Sequence, residues 1–273
     1  MNNKVSSIIL IILLSALALI LGFIMYYGIK EGGFRNQKAE LQLSENYEFG
    51  DVNEINVSTK SSDVIFKDSE DGKVYVDVYA SSKDEVSSKL NDGVLDIVSK
   101  SKLSICIVCF RSSHQKVEIK LPKDFSGKIN ISTKSGDVTL SNYSSANLKV
   151  EASSGDITVG SIKKAYIKVT SGDIEVRKGK NLDVRATSGD IELGDVEGKV
   201  NVKVTSGDIE IDNLILKGDS NIKATSGDVT IKELTNAFVN TSVKSGDVKV
   251  NGSDRTAEFE VNISVTSGDI RVN

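Results

Sequence analysis

Tryptophan is missing from this 273-residue chain, and histidine and proline occur once each. Aromatic residues make up 5%, too few for a broad stacking platform under sugar rings, although polar contacts to sugars stay open. Cysteine occurs only as Cys106-Ile107-Val108-Cys109. One such pair cannot complete a four-ligand zinc site, and the sole histidine, His114, brings the nearby nitrogen and sulfur ligands to three. A redox CxxC opens a helix in a βαβ setting, which is missing here. On a strand, residues three apart face opposite sides, so Cys106 and Cys109 read as ordinary strand residues. A disulfide in an irregular turn and a metal or redox role are the lesser alternatives. His114 reads as part of a polar turn. Also lacking is an excess of one charge: 34 basic and 38 acidic residues are interspersed, for a net −4. That leaves no basic stripe for nucleic acid.

What the chain has instead is one phrase, Ser-Gly-Asp, written eight times between Ser135 and Asp269. Its glycines, from Gly136 to Gly268, are 19, 17, 17, 18, 20, 19 and 22 residues apart. A period near 20 marks a stacked repeat architecture. The residues after each Asp alternate, as in Ile191 and Leu193 or Ile209 and Ile211, and so do those before each Ser, as in Val184 and Ala186 or Val202 and Val204. Each half has the period of a half-buried strand. The halves are out of phase, since Val204 and Ile209 lie five residues apart. Both can be buried only if the chain turns a corner at Ser-Gly-Asp, where Gly supplies backbone freedom and Asp can accept a backbone N–H. No single repeat covers its own apolar face, so stacking is required. The expected fold is an all-β, β-helix-like solenoid with coils about 4.8 Å apart. Eight coils would span roughly 40 Å at that spacing. A succession of antiparallel hairpins is the rival arrangement.

Stacked coils align Asp137, Asp156, Asp173, Asp190, Asp208, Asp228, Asp247 and Asp269 along one corner. Such a ladder is read as turn-forming. Calcium is the alternative, although nonapeptide β-rolls use Gly-Gly-x-Gly-x-Asp twice per turn. Two outward stripes of opposite sign are also expected. Lys168, Arg185, Lys203 and Lys223 stand three before the repeat Ser, and Glu175, Glu192 and Glu210 stand two after the Asp. They read either as a solvated face with weak ion pairs or as a charged groove for a wall polymer or protein partner.

Residues 5–29 carry no charge, and the run from Ile8 to Tyr27 is long enough to cross a bilayer as a helix. Tyr26 and Tyr27 stand where an interfacial aromatic belt would lie. A cleaved signal peptide is the alternative, but its apolar region would be shorter and followed by a small-x-small site. A retained anchor is expected, after a short tail at 1–4. Lys30, Arg35 and Lys38 follow the span and only Lys4 precedes it, so charge alone does not favour exporting the C-terminal part. Residues 30–46 read as a polar connector.

Residues 47–125 read as a β section capping the solenoid, which occupies 126–273. Ile55 to Phe66 is a degenerate ninth copy, with Ser62 in the glycine position. Val74 to Tyr79 alternates like a strand, and Asn91-Asp92-Gly93 between apolar runs predicts a hairpin. Leu103 to Phe110 and Val117 to Leu121 read as further strands, and Pro122 closes the section.

Val117-Glu-Ile-Lys-Leu-Pro122, followed by units of the type Thr170-Ser-Gly-Asp-Ile-Glu-Val176, resembles the bacterial putative-adhesin repeat family. That family is a domain of unknown function that includes LiaG-type envelope proteins. The resemblance covers about Phe49 to Asn273. It implies a β-repeat domain on the outer side of the cytoplasmic membrane, and it brings no catalytic residues.

No catalytic, cofactor-binding or metal-ligating residue is assigned. The expected function is a non-catalytic, membrane-anchored binding or structural module of the envelope, with a wall polymer or an envelope protein as partner. An accessory or sensory role in envelope stress is the alternative, and a polysaccharide-active β-helix enzyme is a more distant one. Self-association is a further expectation. The last repeat ends at Val272-Asn273 without a cap, which would leave an open strand edge for head-to-tail contact.

Overall fold

The computed structural model describes residues 13–20, 22–23, 26, 39–100 and 115–273. Residues 13–20 are helical, with Leu13, Leu17, Leu19 and Phe23 more than half exposed. Among the described residues no helix is long and apolar enough to cross a membrane. The rest of the 5–29 segment, most of the connector, Cys106, Cys109 and His114 lie outside the described residues.

Among the described residues from Glu40 onward, the regular structure is all strand apart from one turn of 3-10 helix at Phe49–Asp51. Each repeat contributes a strand before its corner and one after it, as in Val200–Ser206 followed by Ile209–Leu216. In Val138–Ser154, Ile157–Ser171 and Ile174–Ser188, the strand after one corner runs on into the strand before the next. Successive repeats pair in parallel and in register, so Ser154, Ser171, Ser188, Ser206 and Ser226 stack in one column. The solenoid, rather than a row of hairpins, is the arrangement found.

The phase change is resolved as the pattern requires. Val202 and Val204 before the corner, and Ile209 and Ile211 after it, are all buried. The eight repeat glycines have φ between +117° and +139°. At Gly207 an added Cβ would lie 2.1 Å from the carbonyl oxygen of Gly189, one rung below. Both conformation and close approach therefore demand glycine. Ser62 escapes the requirement because its φ is not positive. It is buried, and its N–H donates to Thr59 Oγ1 at 2.9 Å.

The degenerate copy is the first rung. Glu54–Thr59 pairs with Lys128–Ser135, and Val64 to Phe66 pair with Val138 to Leu140. The residues between these two rungs form the cap. Val94–Lys100 and Lys116–Pro122 make a further parallel rung beneath the first. Glu85–Asn91 and Lys73–Ala80 then close that rung with antiparallel pairing. The predicted hairpin is present: Asn91 pairs with Val94, and Asp92 and Gly93 have φ of 49° and 80°, as a two-residue turn with both central residues left-handed requires. The connector is shorter than its polarity suggests, because Glu40–Glu48 is a strand lying antiparallel on Lys73–Ala80. As an edge strand it needs a strong apolar face less than an interior one does.

The far end departs from the expected order. Phe259–Ser267 pairs with Ser220–Ser226 on one side and Ala237–Ser245 on the other. Ile270–Val272 is likewise held between Val229–Thr235 and Val248–Val250. The eighth repeat is thus inserted between the sixth and the seventh. Val272 is 0% exposed, whereas Val248 is 46% exposed. The last repeat does not leave an open edge, because strands cover it on both sides. The exposed edge belongs to the Asp247 rung.

Candidate binding faces

The corner aspartates form a hydrogen-bonded ladder. Asp208 N–H donates to Asp190 Oδ1 at 2.8 Å, Asp228 N–H to Asp208 Oδ1 at 2.7 Å and Asp269 N–H to Asp228 Oδ1 at 2.8 Å. The series starts with Asp137 N–H on Asp63 Oδ1 and ends with Asp247 N–H on Asp269 Oδ1. The main chain closes the same corner, with Gly189 N–H on Ser206 O at 3.1 Å and Ile191 N–H on Asp208 O at 2.9 Å. Each carboxylate supplies the acceptor that a turning backbone cannot, and a net hydrogen bond of this kind is worth about 1 kcal/mol. The N–H of Asp269 is the main cause holding the Asp228 carboxyl below the usual aspartate range, and Arg271, at 3.1 Å, adds to it. This is the turn-forming role. Among the described residues, no three or more His, Cys, Asp or Glu side chains are grouped to hold a metal ion.

Both predicted stripes are present. Glu175, Glu192 and Glu210 are in register on the face after the corner. They line a depression of about 380 Å³ with Arg177, Asp212 and Lys232. With Asp195 the depression gathers five carboxylates against two cations, and both cations are taken up within it. Arg177 pairs with Glu175 at 2.8 Å, and Lys232 pairs with Asp212 at 2.8 Å and with Glu210. These carboxylates push both cations up in pKa.

The face before the corner is different. Lys168, Arg185, Lys203 and Lys223 stack in register and are exposed. Arg185 is engaged by Asp183 at 2.9 and 3.0 Å, and Lys168 stands directly opposite Glu151, while Lys203 has a cation on both sides and Lys223 has one beside it. Like charges directly opposite across strands repel, and from Arg185 to Lys223 three cations meet in this way.

A second column on this face escapes the sequence reading. Seven residues before the repeat serines stand Lys128, Asn147, Lys164, Asn181 and Lys199, on consecutive rungs. The fixed offset was the available signal, obscured because amide and amine alternate. With Leu148, Ala165, Leu182 and the half-buried Tyr166, these residues line a shallow groove of about 480 Å³ along the stack. Lys128 pairs with Glu54 at 3.5 Å, and among the described residues Lys164 and Lys199 make no ion pair. Asp183, the one carboxylate lining this groove, is held by Arg185.

The same fold occurs in solved structures. One described as a "putative adhesin" from Parabacteroides distasonis is 14% identical, with 86% of this chain and 98% of that chain covered and a TM-score of 0.51. Another from the same organism, described as a "putative lipid binding protein", is 16% identical, with coverages of 87% and 98% and a TM-score of 0.51. No functionally curated protein matches the sequence. Residues 52–273, the degenerate rung, cap and repeats together, match the model described as Toastrack DUF4097. The chain is therefore a member of the Toastrack DUF4097 family.

Proposed function

We propose that this protein is a non-catalytic, adhesin-like binding module, held to the cytoplasmic membrane by residues 5–29 and displaying its solenoid outside the cell. The observation that carries the reading is the basic face before the corner. Four cations recur there on successive rungs, Arg185 alone of them ion-paired among the described residues, while on the face after the corner both cations of the depression are taken by carboxylates. A surface that repeats one chemistry over many rungs suits an extended ligand, whereas catalysis needs one convergent constellation. The uncharged 5–29 segment supports the anchor, and the description of a solved structure of this fold as a "putative adhesin" supports the adhesin-like role.

The test is protease digestion of intact, wall-stripped cells carrying a C-terminal tag. Loss of the tag is expected. A tag that survives until the cells are lysed would put the repeats on the cytoplasmic side and end the adhesin reading. In parallel, the full chain in non-ionic detergent should sediment with isolated envelope fragments, and less so as salt is raised.

A further inference from the structure

We infer that the groove before the corner is a binding site for a linear acidic polysaccharide bearing its acid on alternate sugars and lying along the stack. This rests on the binding-module reading and names its ligand. Lys128, Lys164 and Lys199 stand on every second rung, with Asn147 and Asn181 between them. At about 4.8 Å per rung, the ammonium groups repeat at roughly 10 Å. One sugar ring is about as long as one rung is thick. A chain advancing one ring per rung therefore meets the ammonium of Lys164 and, two rungs on, that of Lys199, with the Asn181 amide between. The other two lysines lining the groove, Lys128 and Lys149, lean on Glu54 at 3.5 Å and Glu151 at 3.2 Å.

The chemistry of each level fits that alternation. Lysine provides a charge for a carboxylate without the bidentate geometry of arginine. Asn181 Oδ1 accepts the N–H of Lys199 at 3.2 Å, which leaves its NH2 donors for a hydroxyl. Leu148, Ala165 and Leu182 are buried in the core beneath the groove, and the ring of Tyr166 lies half-buried at its surface. Tyr166 and the methylene stems of the lysines give the apolar contact that a sugar face takes. The Lys168 to Lys223 column differs in both respects. It places a cation on each of four successive rungs and runs outside the groove, so it attracts polyanions generally and does not read their spacing.

Binding is measured for the full chain in non-ionic detergent, using hyaluronate (acid on alternate sugars), polygalacturonate (acid on every sugar), neutral dextran and double-stranded DNA as probes. Hyaluronate should bind saturably and at least 10-fold more tightly than dextran or DNA. Two triple variants remove the same charge. Lys128→Gln with Lys164→Gln and Lys199→Gln should weaken hyaluronate at least 10-fold, while Lys168→Gln with Lys203→Gln and Lys223→Gln should weaken it less than 3-fold. All six side chains are exposed, and an unchanged melting temperature certifies folding. Equal losses in the two triples, or DNA and polygalacturonate binding as well as hyaluronate, would overturn the inference in favour of unspecific attraction. If hyaluronate fails while envelope fragments still bind, the polysaccharide assignment falls and the module reading stands. If both fail, both fall.

Discussion

The two ends of the stack are finished in different ways. At the first end, antiparallel strands close the last parallel rung, and the outermost, Glu40–Glu48, is polar and mostly exposed. At the other end there is no change of strand direction. The chain skips a level, lays down the Asp247 rung, and returns through residues 251–258 to fill the gap with the Asp269 rung. A cap of new sequence hides the core at one end. At the other, a weak repeat is placed outermost and a strong one is drawn inside. Proteins blunt open strand edges with short strands and lysines. The Asp247 rung has both, in the three-residue strand Val248–Val250 and in Lys244 and Lys249.

The sharpest way to break this comparison is at the glycines. Gly207→Ala would force a β-carbon onto the Gly189 carbonyl at 2.1 Å and hold alanine at φ +139°. The backbone strain alone is about 1–3 kcal/mol, and with the overlap the loss should reach roughly 3 kcal/mol or more. Gly246→Ala meets the same geometry, at φ +138° and 2.0 Å from Gly268 O, but in a rung with a neighbour on one side only. In a stack held by nearest-neighbour contacts, that rung can detach while the rest stays folded. Urea unfolding followed by hydrogen exchange should show global destabilisation for Gly207→Ala and exchange confined to residues 237–250 for Gly246→Ala. Equal global losses would mean that the end rung folds as one unit with the interior.

The rung order itself is tested by two identical substitutions. Val272→Ala, next to the chain terminus, removes methyls from a fully buried side chain and should cost about 2 kcal/mol, transfer and cavity together. Val248→Ala acts on a side chain 46% exposed and should cost less than about 1 kcal/mol. Stacking in sequence order predicts the reverse. Melting temperatures of the two variants decide between them.

The sequence held more of this than its linear order suggests. The corner, the two phases and the parallel stack follow from the spacing of Val204 and Ile209 around Gly207. The inserted rung was legible too, in the quality of the repeats. Where the eighth has Ile263 and Thr266, the seventh has Thr241 and Lys244, so the seventh was the one fitted to an edge. What period cannot give is which strand neighbours which, since every Ser-Gly-Asp corner offers the same donors and acceptors. The groove was harder to see. Its lysines and asparagines share a column only after stacking, and no single repeat shows the alternation.

The aspartate ladder gives a smaller contrast. Asp208→Ala removes the acceptor for Asp228 N–H and should cost roughly 1 kcal/mol. Asp247, on the outermost rung, has no further Asp N–H stacked on it, so Asp247→Ala should leave the denaturation midpoint unchanged. A matching loss at Asp247 would show that the corner carboxylates act within their own rung rather than on the next.

The smallest effect expected is a pH dependence. The folded-state pKa of Asp228 is depressed, chiefly by the N–H of Asp269 and further by Arg271. A depressed carboxylate contributes stability that is present above its unfolded pKa, near 3.9, and is lost as pH falls through the folded value. The window therefore lies below about pH 4. Asp228→Asn keeps an oxygen for the Asp269 N–H but cannot titrate, so the fall in stability from neutral pH to about pH 2.5 should be shallower than in the unaltered protein. Other paired carboxylates titrate in both proteins, so the informative quantity is the difference between the two curves. If the Asp228→Asn curve is as steep as that of the unaltered protein, acid sensitivity is a property of the other charges, and the ladder bond has no part in it.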